Sequence, residues 1–203
     1  MATQKKGGPS AAYLRRKISR LSREITDIED FFYHSNRDGD QLLHADMLER
    51  KRDDIVRSAI LQMHTAIEDV LTSWIFCRMS GTGPTTRKAR ERTKSGKALM
   101  RMLSGGGSLG FDMKLNLAVA LDLVSEKMRA TLAELNGLRN KCSHNWLLRV
   151  PVRRKRKPHQ PKLPLLMFRG RNLHDADVLK DLIREFGGLY GRIFLKYLAE
   201  DEA

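Results

Sequence analysis

The sequence predicts an all-α fold, an antiparallel bundle of about five helices with a small extended or hairpin insertion after the helix that carries its candidate chemistry. Three observations predict it. Apolar residues recur every three or four positions through most of the chain, the breaks fall at stretches rich in Gly, Pro, Asn and Asp, and the helical period is lost only after residue 144 before returning near the C-terminus. At 203 residues the chain is long enough to bury one core. We read a Lys/Gly/Pro/Ser-rich leader over 1–12, expected to be disordered, and a single helical domain over 13–203.

The elements follow in order. Leu14, Ile18, Leu21, Ile25, Ile28 and Phe32 mark one face of a first helix over 13–33, and the turn residues Asn36-Arg37-Asp38-Gly39-Asp40 end it. A long helix is expected over 47–78, with Asp46 as its cap. Its broad stripe, Ile55, Ala59, Ile60, Met63, Ala66, Ile67, Val70, Leu71, Trp74 and Ile75, can pack against two neighbours, as the central helix of a bundle does. Gly81-Thr82-Gly83-Pro84 breaks it, and a basic connecting region opens at Arg87-Lys88-Ala89-Arg90-Glu91-Arg92 and includes an apolar patch over 99–103. Ser95-Gly96-Lys97 lacks both the glycine spacing and the preceding strand of a phosphate loop.

The helical period returns over 112–123 and 126–141, as two helices or one kinked helix, carried by Leu115, Leu117, Val119, Ala120, Leu123, Met128, Leu132, Leu135 and Leu138. The insertion, about 147–172, has two extended arms, 146–152 and 163–168, around a basic link containing prolines. A terminal helix is expected over 175–198, where Gly187-Gly188 implies close packing or a kink.

Composition narrows the function. No apolar run approaches the ~18 residues that a membrane-spanning helix requires, and the polar N-terminus lacks the apolar core of a secretory signal, so a cytoplasmic location is expected. The two cysteines, Cys77 and Cys142, form no Cys-x-x-Cys pair and no cluster with metal-ligand spacing, so neither a disulfide framework, a metal site nor a cofactor is expected. A net charge of +14 is the outstanding bulk property, and a surface this cationic implies a polyanion among its partners. Aromatic residues at 6% disfavour recognition by base stacking and leave shape and charge.

Most histidines have structural explanations. His34, His44 and His174 sit near expected helix ends, His159 lies in the basic link, and His64 falls on the buried central helix. His144 differs because Arg139 and Asn140 stand close by. A neutral imidazole takes the proton of a ribose 2′-hydroxyl, and its protonated form returns one to the leaving oxygen. A guanidinium offers its fork to phosphate oxygens and stabilises the charge of a pentacovalent transition state. Asn140 suits donation to a phosphate oxygen or positioning of its neighbours. Five residues along a continuous helix separate Arg139 from His144 by about 140°, so within one chain they converge only if the helix ends or unwinds near Ser143. The same residues also suit a helix C-terminus, where the dipole favours cations.

The segment Arg139-Asn140-Lys141-Cys142-Ser143-His144, closing a late apolar helix, resembles the Arg-x4–6-His signature of the HEPN superfamily, with its frequent Asn directly after the Arg. Upstream, His64-Thr65-Ala66-Ile67-Glu68-Asp69-Val70-Leu71 and Phe111-Asp112-Met113-Lys114 add to the similarity, which covers roughly 45–146. The resemblance implies a metal-independent endoribonuclease, often a toxin or antiphage effector, acting as a homodimer with both motifs in one cleft. A cognate antitoxin or nucleotidyltransferase partner belongs to the same expectation. On that reading Arg139, Asn140 and His144 are catalytic, and Arg153, Arg154, Lys155, Arg156 and Lys157 extend the RNA-binding surface. The alternative is a non-catalytic module that binds RNA, a nucleotide or a protein with the same residues.

Overall fold

The computed structural model describes Arg23 and residues 41–104, 109–144 and 166–200, with residues 41–49 and 144 as helix backbone. The fold is all-α. Among the described residues the elements are α1 (Gln41–Ser80), α2 (Arg87–Glu91), α3 (Lys94–Ser104), α4 (Phe111–Ala120), α5 (Glu126–His144), the strands β1 (Met167–Phe168) and β2 (Arg171–Asn172), and α6 (Ala176–Ala199). The first expected helix lies outside the described residues except for Arg23, which is helical. None of the helices described is long and apolar enough to cross a membrane.

Helix α1 includes Gln41 and the residues after it rather than starting at residue 47, so Asp46 lies inside the helix and does not cap it. All the residues of its expected stripe are buried except the half-buried Ala66, and Val56, Phe76 and Cys77 are buried as well. A helix buried on so many sides is central. It ends where Gly81 turns to φ +62 and the Thr82 amide donates to the Cys77 carbonyl at 3.0 Å, the closing bond of a Schellman cap.

The described residues fall into two compact units, Ile60–Asn140 with Gly188–Ala203, and Met1–Ala59 with Lys141–Gly187. In the first, α4 and α5 run antiparallel, tied by Arg129 Nε to Asn116 at 2.8 Å and by Asn136 Nδ2 to Asp112 at 2.9 Å. They are two helices rather than one with a kink. Asp122, at φ 57, takes the left-handed position, and its amide and that of Leu123 bond back to Val119 and Ala118, both at 2.9 Å. The Ser125 hydroxyl then accepts from the Met128 amide at 3.3 Å and caps α5.

The region read as a basic connection is helical. Thr93 accepts from the Gly96 amide at 3.0 Å and donates to the Arg90 carbonyl at 2.8 Å, so a single side chain ends α2 and begins α3. Gly96 has a packing role: a Cβ built there would lie 2.0 Å from the Arg90 carbonyl oxygen. Gly96→Ala therefore forces α3 off α2, at a cost of about 1–3 kcal/mol, despite the gain in helix propensity. Thermal melts check this, and a variant melting at or above the parent would show that the close approach carries no weight.

In the second unit the insertion closes as a tight hairpin. Met167 pairs with Asn172 and Phe168 with Arg171, while Arg169 (φ 50) and Gly170 (φ 76) make a two-residue turn with both φ positive. The first strand comes from the end of the expected second arm and pairs with Arg171-Asn172 just downstream; the expected arm over 146–152 lies outside the described residues. Phe168 packs on Phe186 of α6 with centroids 6.1 Å apart, and Arg171 pairs with Asp181 at 2.7 Å. The buried His174 ring lies between Asn172 Oδ1, 3.0 Å from Nδ1, and the Asp53 carboxylate, so it clasps the hairpin to α1. Helix α6 continues through Gly187-Gly188, and a Cβ at either position would meet no close neighbour, so the expected close packing is not what places them there.

Candidate functional site

Arg139 and Asn140 stand near the C-terminal end of α5, on the face opened by Asn136 one turn earlier. Leu132, Leu135 and Leu138 are buried and anchor this stretch, which leaves Arg139 and Asn140 half-buried at the margin of the core. Arg139 donates from its guanidinium to Asn140 Oδ1 at 3.0 Å. The amide thus occupies one edge of the fork and fixes the plane in which the rest is presented.

Beside the pair a line of polar groups runs out from the core, with His64, Asn136 and Lys114 buried, Glu68 half-buried and Asp112 exposed. His64 Nε2 donates to Asn136 Oδ1 at 3.1 Å, and Asn136 passes the chain on to Asp112. On its other side His64 Nδ1 faces Glu68 at 3.6 Å, and the buried Lys114 donates to that carboxylate at 2.6 Å. The His64 ring also packs against Phe111, with centroids 4.3 Å apart. Burial pushes its pKa below the ordinary 6.5. Glu68 and the Asn136 bond pull upward, but the cationic Arg139 and Lys114 add to the downward push. At neutral pH the ring is therefore neutral, and at 3% exposure it is a core histidine rather than a group reaching substrate.

Two results follow for His64. Removing a satisfied buried hydrogen bond and its packing costs about 1–3 kcal/mol, so His64→Ala melts well below the parent. The pH dependence has a definite sign: with the folded pKa depressed, the unfolded chain binds the proton first as pH falls, so stability held above about pH 6.5 is lost below it. Denaturation of the parent and of His64→Gln across pH 5–7.5 checks this, since glutamine keeps a donor without titrating. Parallel pH slopes for the two proteins would count against it.

Helix α5 runs through Ser143 and is described as far as the backbone of His144. Between Arg139 and His144, Cys142 is buried and its thiol is pushed up to about 11, so it is no thiolate at neutral pH. Its carbonyl accepts from the Arg57 guanidinium, which satisfies one of the last carbonyls of the helix. The basic segment Arg153, Arg154, Lys155, Arg156 and Lys157 lies outside the described residues.

The sequence reading missed Asn136, and it quoted Asp112 and Lys114 for the resemblance alone, without a place in the site. Their signal is a polar residue inside an apolar stripe: Asn136 between Leu135 and Leu138, and Lys114 between Phe111 and Leu115. Of the adjacent carboxylates Glu68 and Asp69, Glu68 is the half-buried one and pairs with Lys114, while Asp69 is exposed. No family model, curated protein or solved structure matches the chain.

Proposed function

We propose that this protein is a metal-independent endoribonuclease of the HEPN type, a homodimeric toxin or defence effector that cuts RNA by attack of the ribose 2′-hydroxyl. The observation that carries the reading is the Arg139–Asn140 pair, half-exposed near the end of α5 and held by its own hydrogen bond, with His144 continuing the same helix. A net charge of +14 supports a polyanionic substrate.

The chemistry needs three tasks. One His144 imidazole takes the 2′-hydroxyl proton as the O2′–P bond forms, and a protonated His144 delivers a proton to O5′ as the P–O5′ bond breaks. Arg139 stabilises the extra charge on the phosphorane oxygens. Asn140 holds the guanidinium, and its amide nitrogen is suited to donate to a non-bridging oxygen. The products are a 2′,3′-cyclic phosphate and a free 5′-hydroxyl, with no atom supplied by water. A two-fold dimer provides both protonation states by placing two copies of the motif in one cleft.

The test is incubation of the purified protein with RNA in excess chelator, followed by end-group analysis. Cyclic phosphate ends are expected. Intact RNA that remains bound shows a binding module instead.

A further inference from the structure

Between residues 81 and 111 the chain carries seven cations, Arg87, Lys88, Arg90, Arg92, Lys94, Lys97 and Arg101, against one carboxylate, Glu91. Arg87 serves the fold: half-buried, it pairs with Glu91 and donates to Ser73 Oγ of α1. With that carboxylate engaged by Arg87, the exposed residues Arg90, Arg92, Lys94, Lys97 and Arg101 form a surface of a single sign.

Their placement follows the helix. Gly96 and Leu103 are the buried residues of α3. Lys94, Lys97 and Arg101 follow one another at three and four residues, so they share the opposite face, directed away from the core. They span about 10.5 Å of axis, a length over which one nucleic-acid strand presents about three phosphates. At the corner the Thr93 cap and the contact of Gly96 with the Arg90 carbonyl fix α2 against α3, which brings Arg90 and Arg92 beside the start of that row. The row is thus held on helices, with its charge spread over the length of about three phosphates.

The surroundings favour nucleic acid over a protein partner. No aromatic residue occurs from 77 to 110, and Met102 is the single exposed large apolar side chain described between 81 and 110. Protein interfaces draw their energy from aromatic and apolar anchors, which this surface lacks, whereas backbone recognition needs only charge at the right spacing. We propose that the α2–α3 corner docks the phosphodiester backbone of RNA without reading sequence, as a surface distinct from the α5 motif. The proposal rests on the ribonuclease reading for the choice of RNA.

The test keeps the two readings separable. In the protein carrying Arg139→Ala, so that RNA stays intact, the five cations Arg90, Arg92, Lys94, Lys97 and Arg101 are changed to glutamine, with Arg87, Lys88, Thr93 and Gly96 retained. Binding of a fluorescent single-stranded RNA is then followed from 50 to 300 mM salt. Each phosphate contact contributes about 0.7 to the slope of log K against log salt, so the slope should become shallower by about 2 or more, with at least a tenfold loss of affinity at the lowest salt. An unchanged slope and affinity overturn the proposal. So does displacement of RNA by polyglutamate at equal charge concentration, with both lost together in the variant, because the corner is then a general polyanion surface. Should the five-site variant fail to melt cooperatively, Lys97→Gln with Arg101→Gln reads the same slope at a smaller amplitude, and no change there overturns it equally. Binding lost with cleavage chemistry absent in the parent sinks the ribonuclease reading alone; binding unchanged with cleavage intact sinks this one alone.

Discussion

Arg139→Ala is expected to lower RNA cleavage by about 10²–10³-fold, and His144→Ala by about 10²–10⁴-fold, while both fold like the parent. The argument for Arg139 is positional. It is half-buried at the margin of the core and bonds to its sequence neighbour Asn140, so its removal opens no interior cavity. One such bond is worth about 0.5–1.5 kcal/mol, which for a chain of this size is only a few degrees in Tm. Arg139→Lys should recover part of the rate, because it restores charge without the planar fork. His144 is the last residue of α5, where a side chain is replaced without breaking a helix interior. Its loss should also remove the pH-rate limb belonging to the imidazole. Single-turnover rates measured beside melting curves decide the matter. If both alanine variants melt far below the parent, the pair is structural, and the catalytic reading loses its support.

The contrast with His64 shows how much of the site was legible in the sequence. Its position on the long apolar stripe of α1 marked it as a core histidine, and burial at 3% agrees. What hydrogen-bonds it was not legible, because Asn136 meets it through packing between α1 and α5, and one sequence does not register one helix against another. The helical class was legible for the same reason that α1 and α6 were: stripes of ten or more apolar residues at the helical period leave little choice.

The short helices α2 and α3 were not legible as helices. Seven cations and a glycine read as a connection, since the features that order them are a hydroxyl cap at Thr93 and a steric fit at Gly96, neither of which alters hydrophobic periodicity. The insertion was legible as extended or hairpin but its pairing was not, because pairing is set by the turn, and Arg169-Gly170 supplies the positive φ values that close Met167-Phe168 onto Arg171-Asn172. The Asp122 cap likewise separates α4 from α5 without a glycine.

On the proposed reading each cut draws on both copies of the motif, one His144 as base and the other as acid, in a single cleft. A dimer with one His144 therefore loses one of the two proton transfers and is expected to be about 10²–10⁴-fold slower than the parent. The expected result is that a dead subunit silences its partner. Parent and His144→Ala are mixed in equal amounts under conditions that exchange subunits. Before exchange half of the dimers carry two His144 residues, and after random exchange a quarter do, so exchange should lower the rate to about half of its starting value. Native mass spectrometry on subunits of different mass counts the mixed dimers independently of activity. Mixed dimers that form in full while the rate stays unchanged would mean that each site needs a single His144, and the shared-cleft arrangement would have to be abandoned.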